Sequence, residues 1–335
     1  MYLRSTRTTS LLTLAFVALV AGCVTQPAEN TGDTGSTQTV TRTPDDAPIM
    51  LARSGGVTLD SDAYPAGDGS FYTVTNGWEV TRVLSDGTTE VVVDSEHRVP
   101  DLRAWDGKLY LLKSPAHDDG VVPEVHEYEV TADGLGASTR IELEDIEPRS
   151  ESGLGLAVGA ERIAVLSNRH NDVRIFSDSG ESIKTVVMEE ASEVGAQNVS
   201  GVFVEQDRLL VSEDGHGNAM LVRIDDGVAL PFTEVDGDWI GHLVLDEAGS
   251  TAYVARQPAS IIRFSAHSPA EAIFSRELVA DLSNVPTGFT VHPDSILFVS
   301  YHGDGFFEFD PSTEQVEQIA ELDNPTSLAF IPDSE

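Results

Sequence analysis

The chain has 335 residues, one cysteine and a formal net charge of −36, with 56 acidic residues against 20 lysines and arginines. A single cysteine excludes an intrachain disulfide, so the domain must be held together by its core. The negative charge disfavours binding to nucleic acid and to anionic lipid surfaces, and it favours solubility, tolerance of salt and attraction of cations. At this length the chain has room for two average domains or one large all-β domain.

The first residues have the pattern of a bacterial lipoprotein signal peptide. Arg4 and Arg7 precede an apolar run over residues 11–21, which is shorter than a typical membrane span. The run ends in VAGC at residues 20–23, a small-residue cleavage site followed by the cysteine. We expect residues 1–22 to be removed and Cys23 to be lipidated, which would anchor the protein to the cell membrane outside the cytoplasm. The alternative is an ordinary secretory signal with a chance cysteine.

The composition changes after the cysteine and again near residue 48. Residues 23–47 are rich in Thr, Gly, Asp, Asn, Gln and Pro and contain few large apolar residues. This composition predicts a flexible tether that holds a domain off the membrane. Strand-like patterns begin near Ile49, so residues 48–335 are predicted to form the folded domain.

Strand-like segments recur through this domain at intervals of 38 to 54 residues. The most regular segment of each repeat is its second strand; these are FYTV at Phe71, LYLL at Leu109, IAVL at Ile163, LLVS at Leu209, AYVA at Ala252 and LFVS at Leu297. Each follows a polar turn, and each repeat has room for four short strands rich in β-branched and aromatic residues. No long stretch has the apolar periodicity of a helix.

Four-stranded units at this period predict an all-β fold, a β-propeller, in which sheets packed around an axis bury both of their faces. A β-sandwich is the runner-up, although it would not repeat at this interval. We predict six blades of four antiparallel strands. Residues 325–332 would close the ring as the inner strand of the first blade, because PTSLAFIPDS at the C-terminus copies PTGFTVHPDS at residues 286–295. The alternative is a seventh blade built from both ends, since residues 35–52 align loosely with residues 303–320.

The repeats resemble the extracytoplasmic six- or seven-bladed propellers of the SMP-30/gluconolactonase, NHL and YncE-like groups over about residues 49–335. The resemblance rests on the phrase P-T-[GS]-[FL]-[TA]-[VF]-x-P-D-S and on IIRFSAHS and FFEFDPSTE, which are similar to the I-x-R-F-D-P-x-T-G strand and turn of those groups. It implies a fold rather than one activity, because propellers host unrelated functions.

One departure bears on catalysis. The lactonase group has P-N-G-L where this chain has PTGF at residues 286–289 and PTSL at residues 325–328. In that group the asparagine helps hold a divalent metal at the channel mouth. Thr287 and Thr326 are poorer ligands for a hard cation than a carbonyl or carboxylate oxygen. The resemblance therefore implies a metal-assisted lactonase-like hydrolase only as an alternative function, and no GxSxG or P-loop motif suggests another.

Histidines and carboxylates cluster in loops that should emerge together on one side of a propeller. These loops join the second strand of a blade to the third, or one blade to the next, and the side they share is termed the loop face. The loop residues are His97, His117, His170, His216, His302, Asp214 and Asp304, and His242 should open an inner strand near the same side. Histidine with carboxylate is the ligand chemistry of zinc. One hypothesis is therefore a divalent transition metal held by His170 and His216, which lie in adjacent repeats; the alternative is that each histidine is a solvated turn residue.

Three tryptophans, Trp78, Trp105 and Trp239, either stack on a sugar or peptide or wedge between blades. The leading hypothesis for the whole chain is a lipid-anchored extracytoplasmic binding module that presents its loop face to a protein, peptide or small ligand. No catalytic residue is predicted, and a divalent metal is the one cofactor considered. The lactonase-like hydrolase and a zinc-binding protein are the alternatives.

Overall fold

Antiparallel sheets make up the part of the chain that the computed structural model describes, and none of its described residues is helical. The described residues are 38–40, 70–84, 87–117, 120–131, 134–148, 154–167, 170, 172–187, 199–205, 208–213, 218–234, 240–245, 251–256, 260–268, 273–281, 286–291, 296–300, 305–310, 313 and 315–331. The chain divides into two units, Met1–Ser36 and Thr37–Glu335, and all described residues belong to the second. Among them there is no helix long and apolar enough to cross a membrane.

Six of the described sheets contain four or five strands. Sheet 1 consists of β2 (Ser70–Thr75), β3 (Glu79–Val83), β4 (Thr89–Asp94) and β27 (Leu328–Ile331). Sheet 2 consists of β5 (Arg98–Trp105), β6 (Lys108–Ser114), β9 (Glu124–Thr131) and β10 (Gly134–Ile141), and a small hairpin of β7 (Ala116–His117) and β8 (Gly120–Val121) follows β6. Sheet 3 consists of β11 (Leu154–Gly159), β12 (Arg162–Ser167), β13 (Asp172–Ser177) and β14 (Ser182–Val187).

The second half of the domain repeats this plan. Sheet 4 consists of β15 (Val199–Glu205), β16 (Arg208–Glu213), β17 (Asn218–Arg223) and β18 (Val228–Glu234). Sheet 5 consists of β19 (Ile240–Leu245), β20 (Thr251–Arg256), β21 (Ser260–Ser268), β22 (Ile273–Asp281) and β1 (Gln38–Val40). Sheet 6 consists of β23 (Gly288–Val291), β24 (Ile296–Ser300), β25 (Gly305–Asp310) and β26 (Gln315–Glu321).

The six segments predicted as second strands are the second strands of these sheets. They are β2, β6, β12, β16, β20 and β24. Their continuous apolar runs are explained by burial on both faces. In β6, Leu109 and Leu111 pack in a cluster with Tyr72 of sheet 1, whereas Tyr110 and Leu112 pack in a cluster with strands of sheet 3. Similar clusters lie between sheets 3 and 4 and between sheets 6 and 1, so the described core is a series of layers between neighbouring sheets.

The first strands of the sheets lie side by side. Strand β5 lies beside β11, β11 beside β15, β15 beside β19, β19 beside β23 and β23 beside β27, which also lies beside β5. Strand β27 comes from the C-terminal end of the chain and pairs antiparallel with β2, with Leu328 opposite Thr73. Sheet 1 is therefore held together by backbone hydrogen bonds between distant parts of the sequence.

Two neighbouring first strands approach very closely at Gly288. A Cβ atom on this glycine would lie 2.6 Å from the Leu328 backbone nitrogen and 2.8 Å from the Ser327 carbonyl carbon. Only glycine fits such an approach of one backbone to another. The glycine of the PTGF segment thus has a packing role between sheets 6 and 1.

Strand β1 lies within the predicted tether. Gln38–Val40 pairs antiparallel with β22, with Thr39 opposite Ser275, and adds a fifth strand to sheet 5. The seven-blade alternative uses residues 35–52 in a separate blade, and most of that stretch lies outside the described residues. The three residues that are described belong to sheet 5.

Candidate functional site

A pocket of about 400 Å³ opens where sheets 1 and 2 meet. Its walls are the turn between β2 and β3, the connection from β4 to β5, and the hairpin after β6. These are the loop types that the sequence places on the loop face. The lining residues are Asn76, Trp78, Glu96, His97, Arg98, Ser114, Ala116 and Val121.

The turn that carries Trp78 has an Asn-Gly sequence suited to a tight hairpin. Asn76 has φ of 52° and Gly77 has φ of 77°, while the Trp78 backbone N–H donates to the Thr75 carbonyl at 3.2 Å. Positive φ at both central residues is the type I′ geometry, which Asn and Gly adopt most readily. Local sequence therefore sets the conformation of the turn.

Neighbouring segments hold this turn in place. The hydrogen bonds are Asn76 N to Asp323 O at 3.2 Å, Ser95 N to Trp78 O at 3.1 Å, Val99 N to Gly77 O at 2.8 Å and Asn324 Nδ2 to Asn76 Oδ1 at 3.1 Å. Although its backbone is fixed in this way, the Trp78 side chain is 46% exposed. Trp105, in contrast, packs against the cluster between sheets 2 and 3, and Trp239 lies outside the described residues. Of the two roles predicted for the tryptophans, Trp78 has the exposure that ligand stacking requires.

Apart from Ala116 and Val121, the rest of the pocket lining is polar and mixed in charge. Glu96, His97 and Arg98 follow one another in the β4–β5 connection. Two hydrogen bonds support this connection: the His97 backbone N–H donates to Ser95 Oγ at 3.2 Å, and the Ser114 hydroxyl donates to the Arg98 carbonyl at 3.2 Å. The pocket thus combines an indole with carboxylate, imidazole, guanidinium and amide groups.

A second polar centre lies among the first strands. The carboxylate of Asp101 on β5 is buried and accepts hydrogen bonds from the Leu102 and Leu156 backbone N–H groups, both at 2.9 Å, and from the Ser327 hydroxyl at 3.0 Å. The Arg103 guanidinium lies 3.0 Å away as an ion-pair partner. Burial raises the pKa of Asp101 above its usual 3.8, and Arg103 is the strongest of the groups that oppose this shift.

Arg103 adds a second contact with sheet 3 and extends the same network to sheet 4. Its Nε donates to the Leu156 carbonyl at 2.9 Å, and its Nη2 donates to the Ser200 hydroxyl at 3.0 Å. Asp101 and Arg103 therefore bind the backbone N–H and carbonyl of one residue, Leu156, at the unpaired edge of β11. Unpaired groups at a sheet edge need partners when they are buried, so this network joins four neighbouring first strands, β27, β5, β11 and β15.

Sequence reasoning did not identify this network. The signal available was Asp-Leu-Arg at residues 101–103, two charges on the same side of a predicted strand that is otherwise apolar. The register of β5 against β6 also shifts between Arg98 and Asp101, a bulge of the kind that re-aims side chains. Neither signal names the partners Leu156, Ser200 and Ser327.

The structure describes only some of the predicted site residues. His97 lines the pocket, and His117 belongs to the hairpin that forms one wall. His170 is exposed in the turn after β12, and His242 lies in the first strand of sheet 5. Cys23, His216, His302, Asp214 and Asp304 lie outside the described residues.

The zinc hypothesis, including its His170–His216 pair, therefore stays a prediction. Within the described part of the chain, no group of three or more His, Cys, Asp and Glu side chains could hold a metal ion.

The threonines that replace the asparagine of the lactonase group have structural contacts. The Thr287 hydroxyl donates to the Pro325 carbonyl at 2.9 Å, and the Thr326 backbone N–H donates to the Val74 carbonyl at 3.0 Å. Thr287 thus ties sheet 6 to the segment before β27. The lactonase-like alternative gains no support from these two positions.

No protein-family model matches the chain, and no curated protein matches it. Many solved structures are similar to it. A nidogen/laminin complex matches with a TM-score of 0.57 and 11% identity, over 79% of this chain and 99% of that chain. TolB from Acinetobacter baumannii matches with a TM-score of 0.55 and 10% identity, over 79% of this chain and 68% of that chain. A candidate 6-phosphogluconolactonase from Bacteroides fragilis matches with a TM-score of 0.51 and 13% identity, over 79% of this chain and 98% of that chain. At such low identity the likeness shows the fold alone, and that fold is the β-propeller.

Proposed function

We propose that this protein is a lipid-anchored, extracytoplasmic β-propeller that acts as a binding module through its loop face. The observation that carries the proposal is the pocket between sheets 1 and 2, with Trp78 46% exposed on a turn whose backbone is hydrogen-bonded to its neighbours. Pockets of this size that combine an aromatic ring with a few converging polar groups are the usual sites for ligands. The partner is a protein, peptide or small ligand.

The proposal includes a propeller of six blades whose ring is closed by β27. Its support is the pairing of β27 with β2 and the side-by-side order of the first strands. Such closure removes exposed sheet edges from the centre of the fold. It would also leave the loop face as a continuous rim open to a partner.

The anchoring part of the proposal is tested by labelling. Cells that express the full chain are grown with labelled palmitate, and the protein is then isolated from membrane and soluble fractions. Wild-type protein should carry the label and sediment with membranes, while the Cys23→Ala variant should do neither. Equal labelling of the two proteins would contradict lipidation at Cys23.

The binding part is tested with two defined probes on the purified full-length protein: a phage-displayed peptide library and a panel of oligosaccharides. Wild-type protein should retain at least one class of probe, and both Trp78→Ala and His97→Ala should lose it. The control is Val91→Ala, which alters an exposed apolar residue on β4 of the same sheet. Retention of no probe, or retention that Trp78→Ala leaves unchanged, would rule out this pocket as the binding site.

A further inference from the structure

The indole of Trp78 is an apolar surface that the fold leaves in water. The strand residues beside its turn, Val74 and Val80, are fully buried, whereas Trp78 is 46% exposed. Covering an aromatic ring is favourable because apolar surface is removed from water. Since the turn is already hydrogen-bonded in place, a ligand can bury this apolar surface without the entropic cost of ordering the loop.

Polar residues of five kinds line the same pocket as this ring. They are the Asn76 amide, the Glu96 carboxylate, the His97 imidazole, the Arg98 guanidinium and the Ser114 hydroxyl. A purely apolar ligand would desolvate such groups without replacing their hydrogen bonds, which is unfavourable for each group. The lining therefore favours a ligand that has one apolar face and a rim of hydrogen-bonding groups.

The charges favour a neutral ligand of this shape. Glu96 and Arg98 carry opposite charges within the same pocket, while the whole chain carries −36. The field of so acidic a protein repels anions and attracts cations, but a cation that approaches Glu96 in this pocket would also meet the positive charge of Arg98. The planar carboxylate, amide and guanidinium groups each present two hydrogen-bonding atoms side by side, which matches adjacent hydroxyls on a ring.

We infer that the ligand of this pocket is a neutral saccharide, bound with the C–H face of a sugar ring on Trp78 and with its hydroxyls toward Asn76, Glu96 and Arg98. This inference rests on the proposed binding function and names the class of ligand. The pocket volume of about 400 Å³ is that of a small-ligand site.

The inference is tested by isothermal titration calorimetry of the full-length protein with oligosaccharides of defined charge. The neutral probes are the hexamers of β-1,4-glucose, α-1,4-glucose, mannose and N-acetylglucosamine. The charged probes are the hexamers of glucosamine and of galacturonic acid. At least one neutral hexamer should bind, and it should bind more tightly than either charged hexamer. Trp78→Ala should weaken its binding by about tenfold or more, while Trp78→Phe should restore part of the loss.

The controls separate failure of this inference from failure of the binding function. Urea unfolding of each variant checks that the fold is retained, and Val91→Ala should bind the sugar like wild type. If no neutral hexamer binds, or if Trp78→Ala leaves its binding unchanged, the saccharide inference is wrong. If the peptide library is nevertheless retained through Trp78, the binding module stands and only the ligand class fails. If neither probe class binds, both proposals fail.

Discussion

Asp101 is surrounded by donor groups: three partners donate hydrogen bonds to its carboxylate, and the Arg103 guanidinium forms an ion pair with it. This arrangement fits an ionised carboxylate, which only accepts hydrogen bonds, and it offers no acceptor to a side chain that donates at this position. Its partner Arg103 depends on it in turn, since a guanidinium that is mostly buried needs a counter-charge. The two residues therefore have to be considered together.

Replacing Asp101 by Asn should destabilise the protein strongly. The amide nitrogen would turn two N–H groups toward donors such as Leu156 N–H or Arg103, and it would leave the guanidinium without its ion pair. We expect a loss of about 3–5 kcal/mol in the free energy of unfolding, measured by urea denaturation. Asp225→Asn, at an exposed position, is the control and should change stability by less than about 0.5 kcal/mol. Equal midpoints for the two variants would show that the network contributes little.

A second titratable group, the partly buried His126 on β9, makes stability depend on pH. Its side chain is 16% exposed, and its Nε2 lies 3.2 Å from Glu124 Oε2. Burial lowers the pKa of His126 below 6.5, with Glu124 opposing the shift and Lys113 and Arg140 adding to it. The unfolded chain then binds the proton more readily than the folded chain, so stability should fall as the pH drops through about 6.5.

The variant His126→Gln should lose this part of the pH dependence. The urea midpoint of each protein is measured above pH 6.5 and about one unit below it. The difference between these two midpoints should be larger for wild type than for the variant. His170→Gln, at an exposed turn position, should behave like wild type. An identical pH profile for His126→Gln and wild type would contradict a role for burial at this site.

At the scale of the element, the contact between first strands depends on backbone approach as much as on side chains. Strand β23 meets the residues before β27 at Gly288, where a Cβ would lie 2.6 Å from the Leu328 nitrogen. Backbone cannot move aside as the end of a flexible side chain can. Any side chain at Gly288 must therefore separate sheets 6 and 1.

The Gly288→Ala variant should accordingly lose stability by roughly 1–3 kcal/mol, the usual cost of overpacking. The control is Gly136→Ala in β10, because its added Cβ would meet the Glu129 carbonyl oxygen at an ordinary 3.4 Å. Thermal unfolding of the two variants gives the comparison. A Gly288→Ala protein as stable as the control would mean that the two strands separate at little cost.

At the scale of the whole molecule, β27 contributes both to a strand pairing and to two core clusters. It pairs with β2, Leu328 belongs to the cluster between sheets 6 and 1, and Ala329 belongs to the cluster between sheets 1 and 2. Ser327, just before the strand, donates to Asp101. Loss of this strand would remove one wall from two core layers and expose the edge of β2.

A chain that ends after Asn324 should therefore unfold more readily than one that ends after Ile331. Hydrogen exchange should show faster exchange of amides within Ser70–Thr75 in the shorter chain, because β2 loses one of its two strand partners. The longer chain retains β27 and should protect these amides like the full-length protein. Equal protection in both truncated chains would overturn the proposed ring closure.

The sequence by itself determined the β-propeller class and the positions of the second strands. Their apolar runs are local sequence signals. Because both faces of these strands are buried, every residue is apolar in segments such as those that begin at Leu109 and Ile163. Three connections of the predicted loop types line one pocket, while the loop face as a binding surface remains a prediction. Cleavage and lipidation at Cys23 and the zinc hypothesis remain predictions.

Only the tertiary structure decided which of these loop residues form a pocket and where the buried charges are neutralised. Asn76 meets Asn324 across 248 positions of the sequence, and Asp101 meets Ser327 across 226. A local sequence pattern does not specify such partners, because each hydrogen bond forms only when distant strands lie side by side in the fold. The same reason explains why Trp78 and Trp105, equivalent in the sequence argument, differ in the fold: one lies at the rim of a pocket, and the other packs between two sheets.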